Sequence, residues 1–102
     1  MILYNITAIV DNDIDTEFKE WIHRLFLPGL AEDELFKSQA LLKVLDSPNE
    51  GVTYCLQMIA SGDKEISLFQ QNQLPQLHKK SQGIWANKIY LFESKMQYIA
   101  MY

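Results

Sequence analysis

The chain has 102 residues, 48% of them hydrophobic, and a formal net charge of −4 from 9 Lys+Arg against 13 Asp+Glu. That length fits one domain, residues 1–102, and that charge balance excludes a general phosphate-backbone binder, which needs a basic face. The single cysteine, Cys55, excludes the disulfide framework of a secreted mini-protein, and no run approaches the roughly 18 apolar residues of a membrane span.

The first predicted element is a strand over Ile2 to Val10. Ile2, Tyr4, Ile6, Ala8 and Val10 alternate with Leu3, Asn5, Thr7 and Ile9, a period of two. This segment lacks the basic start and small-residue cleavage site of a signal peptide, so the expected location is cytoplasmic. Asp11-Asn12-Asp13 then supplies turn and N-cap residues.

A helix follows over Ile14 to Leu27. Ile14, Phe18, Trp21, Ile22 and Leu25 recur at steps of three and four and make one apolar stripe. Pro28-Gly29 should interrupt it. The second strand is expected over Phe36 to Leu45. Counted from Phe36, one face takes Ser38, Ala40, Leu42 and Val44, and the other takes Lys37, Gln39, Leu41, Lys43 and Leu45. The cluster Asp46 to Gly51 reads as a hairpin loop leading to a third strand, Val52 to Ala60.

Ser61-Gly62-Asp63 breaks that strand and starts a second helix over Lys64 to Gln82, which Pro75 should kink or divide. The last strand runs over Lys88 to Tyr98. Its Ile89-Tyr90-Leu91-Phe92 run is apolar on both faces, as in a buried strand. The order βαββαβ predicts an α+β, ferredoxin-like fold: a four-stranded antiparallel sheet with two helices on one face. A weak internal echo fits two halves: Tyr4 matches Tyr54, and Phe26-Leu27-Pro28-Gly29-Leu30 matches Gln73-Leu74-Pro75-Gln76-Leu77.

Such a sheet leaves its second face open. Here that face should carry Leu3, Ile9, Leu41, Leu45, Ile59 and part of Tyr90-Leu91-Phe92, with Asn5, Thr7, Cys55 and Gln57 between them. An apolar patch of that kind marks an interface, and a twofold homodimer would cover it.

Leu3-Tyr4-Asn5-Ile6-Thr7, Trp21, Leu27-Pro28, Phe36, Lys43-Val44-Leu45, Thr53-Tyr54-Cys55-Leu56-Gln57 and Leu74-Pro75 together resemble an uncharacterised bacterial family of about one hundred residues. That family is similar to the dimeric α+β barrels, the ferredoxin-like group of antibiotic-biosynthesis monooxygenases. The resemblance implies a dimeric α+β barrel and leaves the function open, because the group includes cofactor-free oxygenases, haem-handling enzymes and ligand-sensing domains. In the family a histidine often precedes each Leu-Pro pair. Phe26 and Gln73 stand there in this chain, which removes support for any role resting on those histidines.

Candidate chemistry is sparse. His23 and His78 are the only histidines and are not at metal-ligand spacing, so no metal and no cofactor is expected. Cys55 reads as a small buried hydrophobe. The residues singled out for a pocket between helices and sheet are Tyr4, Trp21, Ser38, Tyr54 and His78, which would bind a small apolar or aromatic ligand. The alternatives are a cofactor-free monooxygenase or isomerase, and a purely structural dimer with a filled core.

Overall fold

A computed structural model describes all of residues 1–102. Strand β1 (Ile2–Val10) leads through a short 3₁₀ turn at Asn12–Ile14 into α1 (Asp15–Trp21). Asp11 caps that turn by accepting from the Asp13 N–H at 2.8 Å. The helix then continues through a π-helical turn at Ile22–Phe26 into α2 (Leu27–Asp33). Strands β2 (Ser38–Lys43) and β3 (Val52–Ala60) form a hairpin, followed by α3 (Asp63–Asn72), α4 (Leu74–Gln82) and β4 (Ile89–Gln97).

The four strands form one sheet in the order β2-β3-β1-β4, and all neighbours are antiparallel. Each helical passage therefore carries the chain past one intervening strand. The helices cover one face. Tyr4, Ile6, Ala8 and Val10 of β1 and Tyr54, Leu56 and Met58 of β3 are buried there against Phe18, Ile22, Leu30, Ile66, Phe69 and Leu77. Aromatic rings fill the layer: Tyr4 meets Phe69 edge-on at 5.5 Å between centroids, and Phe18 lies 5.4 Å from Tyr54.

Pro28-Gly29 does not interrupt the first helix, contrary to expectation. The Leu27 N–H reaches back five residues to the Ile22 carbonyl, and Pro28 falls in the first turn of α2. A proline breaks a helix because it has no N–H for the residue four back. The wider π turn shifts the ladder just ahead of Pro28 and keeps the helix continuous. Pro75 instead divides α3 from α4, as expected. Both prolines occupy the second position of an α-helical segment, α2 and α4, but only Pro75 follows a break in the helix.

Strand β2 is shorter than expected and its two faces are exchanged. Gln39, Leu41 and Lys43 lie beside Met58, Leu56 and Tyr54, on the helix side. Ser38, Ala40 and Leu42 lie beside Ile59, Gln57 and Cys55, on the outer side. The reason is a bend at Phe36–Lys37. Phe36 is buried in the core, but the strand ladder begins only when the Lys37 N–H bonds the Ile59 carbonyl at 2.8 Å. Alternation counted from Phe36 carries the wrong phase across that bend. Leu41 is accordingly packed on the core, and Leu45 lies beyond β2 in the hairpin loop.

Strand β4 is an edge strand, so its apolar run is not buried on both faces. Ile89 is buried and Leu91 half-buried on the helix side, whereas Tyr90 and Phe92 stand exposed on the outer side. The hairpin loop closes against β1 through Gly51. Its φ is +79°, and a Cβ there would sit 2.3 Å from the Val10 carbonyl oxygen, so only glycine fits without strain.

Candidate functional site

The outer face of the sheet is the most distinctive surface of the molecule. On β1 it presents Leu3, Asn5, Thr7 and Ile9, and on β3 Thr53, Cys55, Gln57 and Ile59. On β2 it presents Ser38, Ala40 and Leu42, and on β4 Tyr90, Phe92, Ser94 and Met96. None of these side chains carries a charge. The charged residues within the strands, Lys43, Glu93 and Lys95, all fall on the helix side.

That distribution inverts the usual one. An antiparallel sheet covered on one face normally turns polar and charged residues to water on the other. Here the edges of the outer face are apolar and exposed: Tyr90 at 61%, Phe92 at 57%, Met96 at 46% and Leu42 at 44%. The centre is more polar. Asn5 is only 7% exposed, and its Nδ2 donates to Thr7 Oγ1 at 2.9 Å. Thr7 Oγ1 lies 3.8 Å from Cys55 Sγ. Asn5 Oδ1 is buried with no donor in the chain. A buried carbonyl oxygen left unpaired costs roughly 1–3 kcal/mol. At one end, Ser47 and Asn49 of the hairpin loop bond Thr53 Oγ1 at 3.0 and 3.3 Å and cover it.

The five residues expected to line a pocket do not converge. Tyr4 and Tyr54 are buried in the aromatic layer, and each spends its hydroxyl on a carboxylate. Tyr4 donates to Glu93 Oε1, which also accepts from Gln70 Nε2 at 3.2 Å. Tyr54 donates to Asp15 Oδ1, and Asp15 pairs with Lys19 at 3.5 Å. Burial first, and then the carboxylate partner, pushes both phenols well above the ordinary tyrosine range. Ser38 lies on the outer face, away from both tyrosines. His78 is half-buried on α4, and its carbonyl accepts from Ser81 Oγ at 2.9 Å. Trp21 alone of the five borders a cleft, with Gln76, Lys79, Lys80, Gly83 and Ile84. A second cleft involves His23 with Lys19, Glu20, Arg24, Leu27 and Leu41, and a third lies at the Gly51 end of the sheet.

Ala40, Leu42, Ser94 and Met96 also belong to the outer face, although the sequence pattern did not single them out. The signal was present in β4: Glu93 and Lys95 share the phase of Leu91, so Tyr90, Phe92, Ser94 and Met96 form an uncharged alternate row. No group of three or more His, Cys, Asp or Glu side chains is placed to hold a metal ion. No helix is long and apolar enough to cross a membrane.

These features define a small α+β domain with helices on one face of an antiparallel sheet and an uncharged second face. The chain belongs to the DUF4286 family, described as a domain of unknown function, which it matches over residues 1–99. No curated protein matches the chain.

Proposed function

We propose that the protein is a homodimer-forming module whose two copies pack the outer faces of their sheets together about a twofold axis. The observation that carries this reading is the confinement of every strand charge to the helix side. A twofold axis sets like residues near like, so a charge on that face would meet its own copy. An uncharged face is compatible with itself even though each copy carries a net charge of −4. At physiological salt the Debye length of about 8 Å screens repulsion between charges on the distant helix sides.

Size supports the same reading. Strand rise and spacing give the sheet about 500 Å² of projected face, so a pair would cover about 1,000 Å², at the threshold of a specific interface. The apolar edge residues would supply the burial. On rotation of its amide, Asn5 would gain the donor it lacks and help to fix the register, as an isolated buried amide does elsewhere. The order β2-β3-β1-β4, with each helical passage skipping one strand, supports reading the protomer as a ferredoxin-like split fold and the pair as a dimeric α+β barrel.

The test is Phe92→Glu, which places a carboxylate on the face without touching the core. The expected result is a monomer in size-exclusion chromatography with light scattering, with an unchanged circular dichroism spectrum. A variant that keeps the wild-type mass would overturn the reading.

A further inference from the structure

The cleft between the end of α1 and the end of α4 lies on the helix side, remote from the sheet face, and its chemistry is different. Its volume is about 480 Å³, within the range of small-molecule sites. Trp21 and the exposed Ile84 supply its apolar wall, and Lys79 and Lys80 its polar one. Trp21 is held in place by two aromatic neighbours: Phe26 at 5.0 Å and Trp85 at 5.9 Å between centroids. Trp85 is buried and fixed in turn by its Nε1 donating to Glu17 Oε2 at 3.2 Å.

Lys80 is the unusual member. Its ammonium lies 5.2 Å from the Trp21 ring centroid and 5.2 Å from that of Trp85. Two indole faces thus fix the position of the cation without consuming its hydrogen bonds. No carboxylate lies within 4.0 Å of it, so its charge is held by the indoles alone. Lys79 is likewise unpaired and exposed on the same rim. In a chain with more acids than bases, two unpaired lysines beside an aromatic and aliphatic wall select for an anionic group joined to an apolar body.

We infer that this cleft is a binding site for a small organic anion, a carboxylate carried on an aromatic or aliphatic body. The anionic group accepts from Lys80 Nζ and Lys79 Nζ, and the apolar body lies against Trp21 and Ile84. A preorganised ammonium loses less freedom on binding than a free lysine would, and the hydrogen bond it makes is charge-assisted. This inference does not rest on the proposed dimer, since none of the cleft residues belongs to the sheet.

The experiment uses 4-phenylbutyrate and its uncharged amide as probes of the intact protein. Backbone amide and indole NMR shifts locate the binding, and tryptophan fluorescence follows it. A probe of about a dozen heavy atoms should bind in the low-millimolar range or tighter. Shifts are expected at the Trp21 indole, Lys80 and Ile84, with the amide binding about tenfold more weakly than the carboxylate. Lys80→Gln should weaken the carboxylate about tenfold and leave the amide unchanged. Because Lys80 is not part of the core, the variant should keep the wild-type spectrum elsewhere, and Ile84→Ser offers a second, fully exposed change that should weaken both probes. Equal affinity for carboxylate and amide, shifts confined to the sheet face, or no saturation by either probe would each overturn the inference.

Discussion

Asn5 donates through Nδ2 to Thr7 Oγ1 at 2.9 Å along the middle of β1, while its own Oδ1 is buried without a donor. The pair sits at the centre of a sheet face that carries no charge and whose edges are apolar and exposed. That arrangement satisfies one half of the side-chain amide and leaves the other half buried without a donor. In the proposed dimer a rotation of the amide brings Oδ1 to a donor of the second copy. Replacing Asn5 with Ala should therefore weaken dimerisation about tenfold, the worth of one hydrogen bond in a buried setting. Sedimentation at several concentrations measures this. An unchanged dimer constant would show that Asn5 meets no partner group.

The exchanged faces of β2 make a paired prediction. Leu41 packs against the core, and Leu42 stands 44% exposed on the outer face. Leu41→Ala should lower the folding stability of a dilute sample by about 1–2 kcal/mol, less than the roughly 2–5 kcal/mol of a fully buried leucine because Leu41 is half-buried. Leu42→Ala should cost less than about 0.5 kcal/mol under the same dilution and act on association instead. Urea titrations at low and high protein concentration separate the two effects. The opposite ranking would restore the phase expected from Phe36.

The architecture was legible where sequence and geometry share a period. β1 and β3 alternate without interruption, and the breaks at Asp11 and Gly62 fall where polar and glycine residues cluster. The phase of β2 was not legible, because one bend at Phe36–Lys37 is invisible to an alternation count and reverses every later residue. The π turn before Pro28 was hidden for a related reason: it depends on a register shift in the backbone, and Ile22 to Phe26 differ in no obvious way from α-helical residues. The expected pocket failed to assemble because Tyr4 and Tyr54 sit on strand positions that the aromatic layer fills. Trp21 borders a cleft, but that cleft lies between helix ends and not in the layer between helices and sheet.

Gly51 provides a check on the hairpin. Its positive φ opposes any side chain, and so does the Val10 carbonyl oxygen, which would lie 2.3 Å from a Cβ at this position. Gly51→Ala should destabilise the domain by about 1–3 kcal/mol, read as a fall in the midpoint of thermal unfolding. A variant as stable as the wild type would mean that the loop relaxes freely.

The two buried phenols predict an alkaline limit. Folding raises the pKa of Tyr4 and of Tyr54 above the ordinary value of about 10, so the native state holds these protons more tightly than the unfolded chain. Their contribution to stability is complete below about pH 10 and is lost as the pH climbs from there through the folded values. Stability measured by urea unfolding should decline above about pH 10. Tyr4→Phe and Tyr54→Phe should each flatten that decline, at a cost of about 1 kcal/mol near neutrality from the lost hydrogen bond. An alkaline decline as steep in the double variant as in the wild type would assign it to other groups.

In the proposed dimer two copies of this chain join through the uncharged face of the sheet. Sedimentation velocity of the wild-type protein at micromolar concentration tests it most directly. The expected species has twice the 11.9 kDa chain mass and is converted to the single-chain mass by Phe92→Glu. A wild-type protein that sediments only at 11.9 kDa would contradict it.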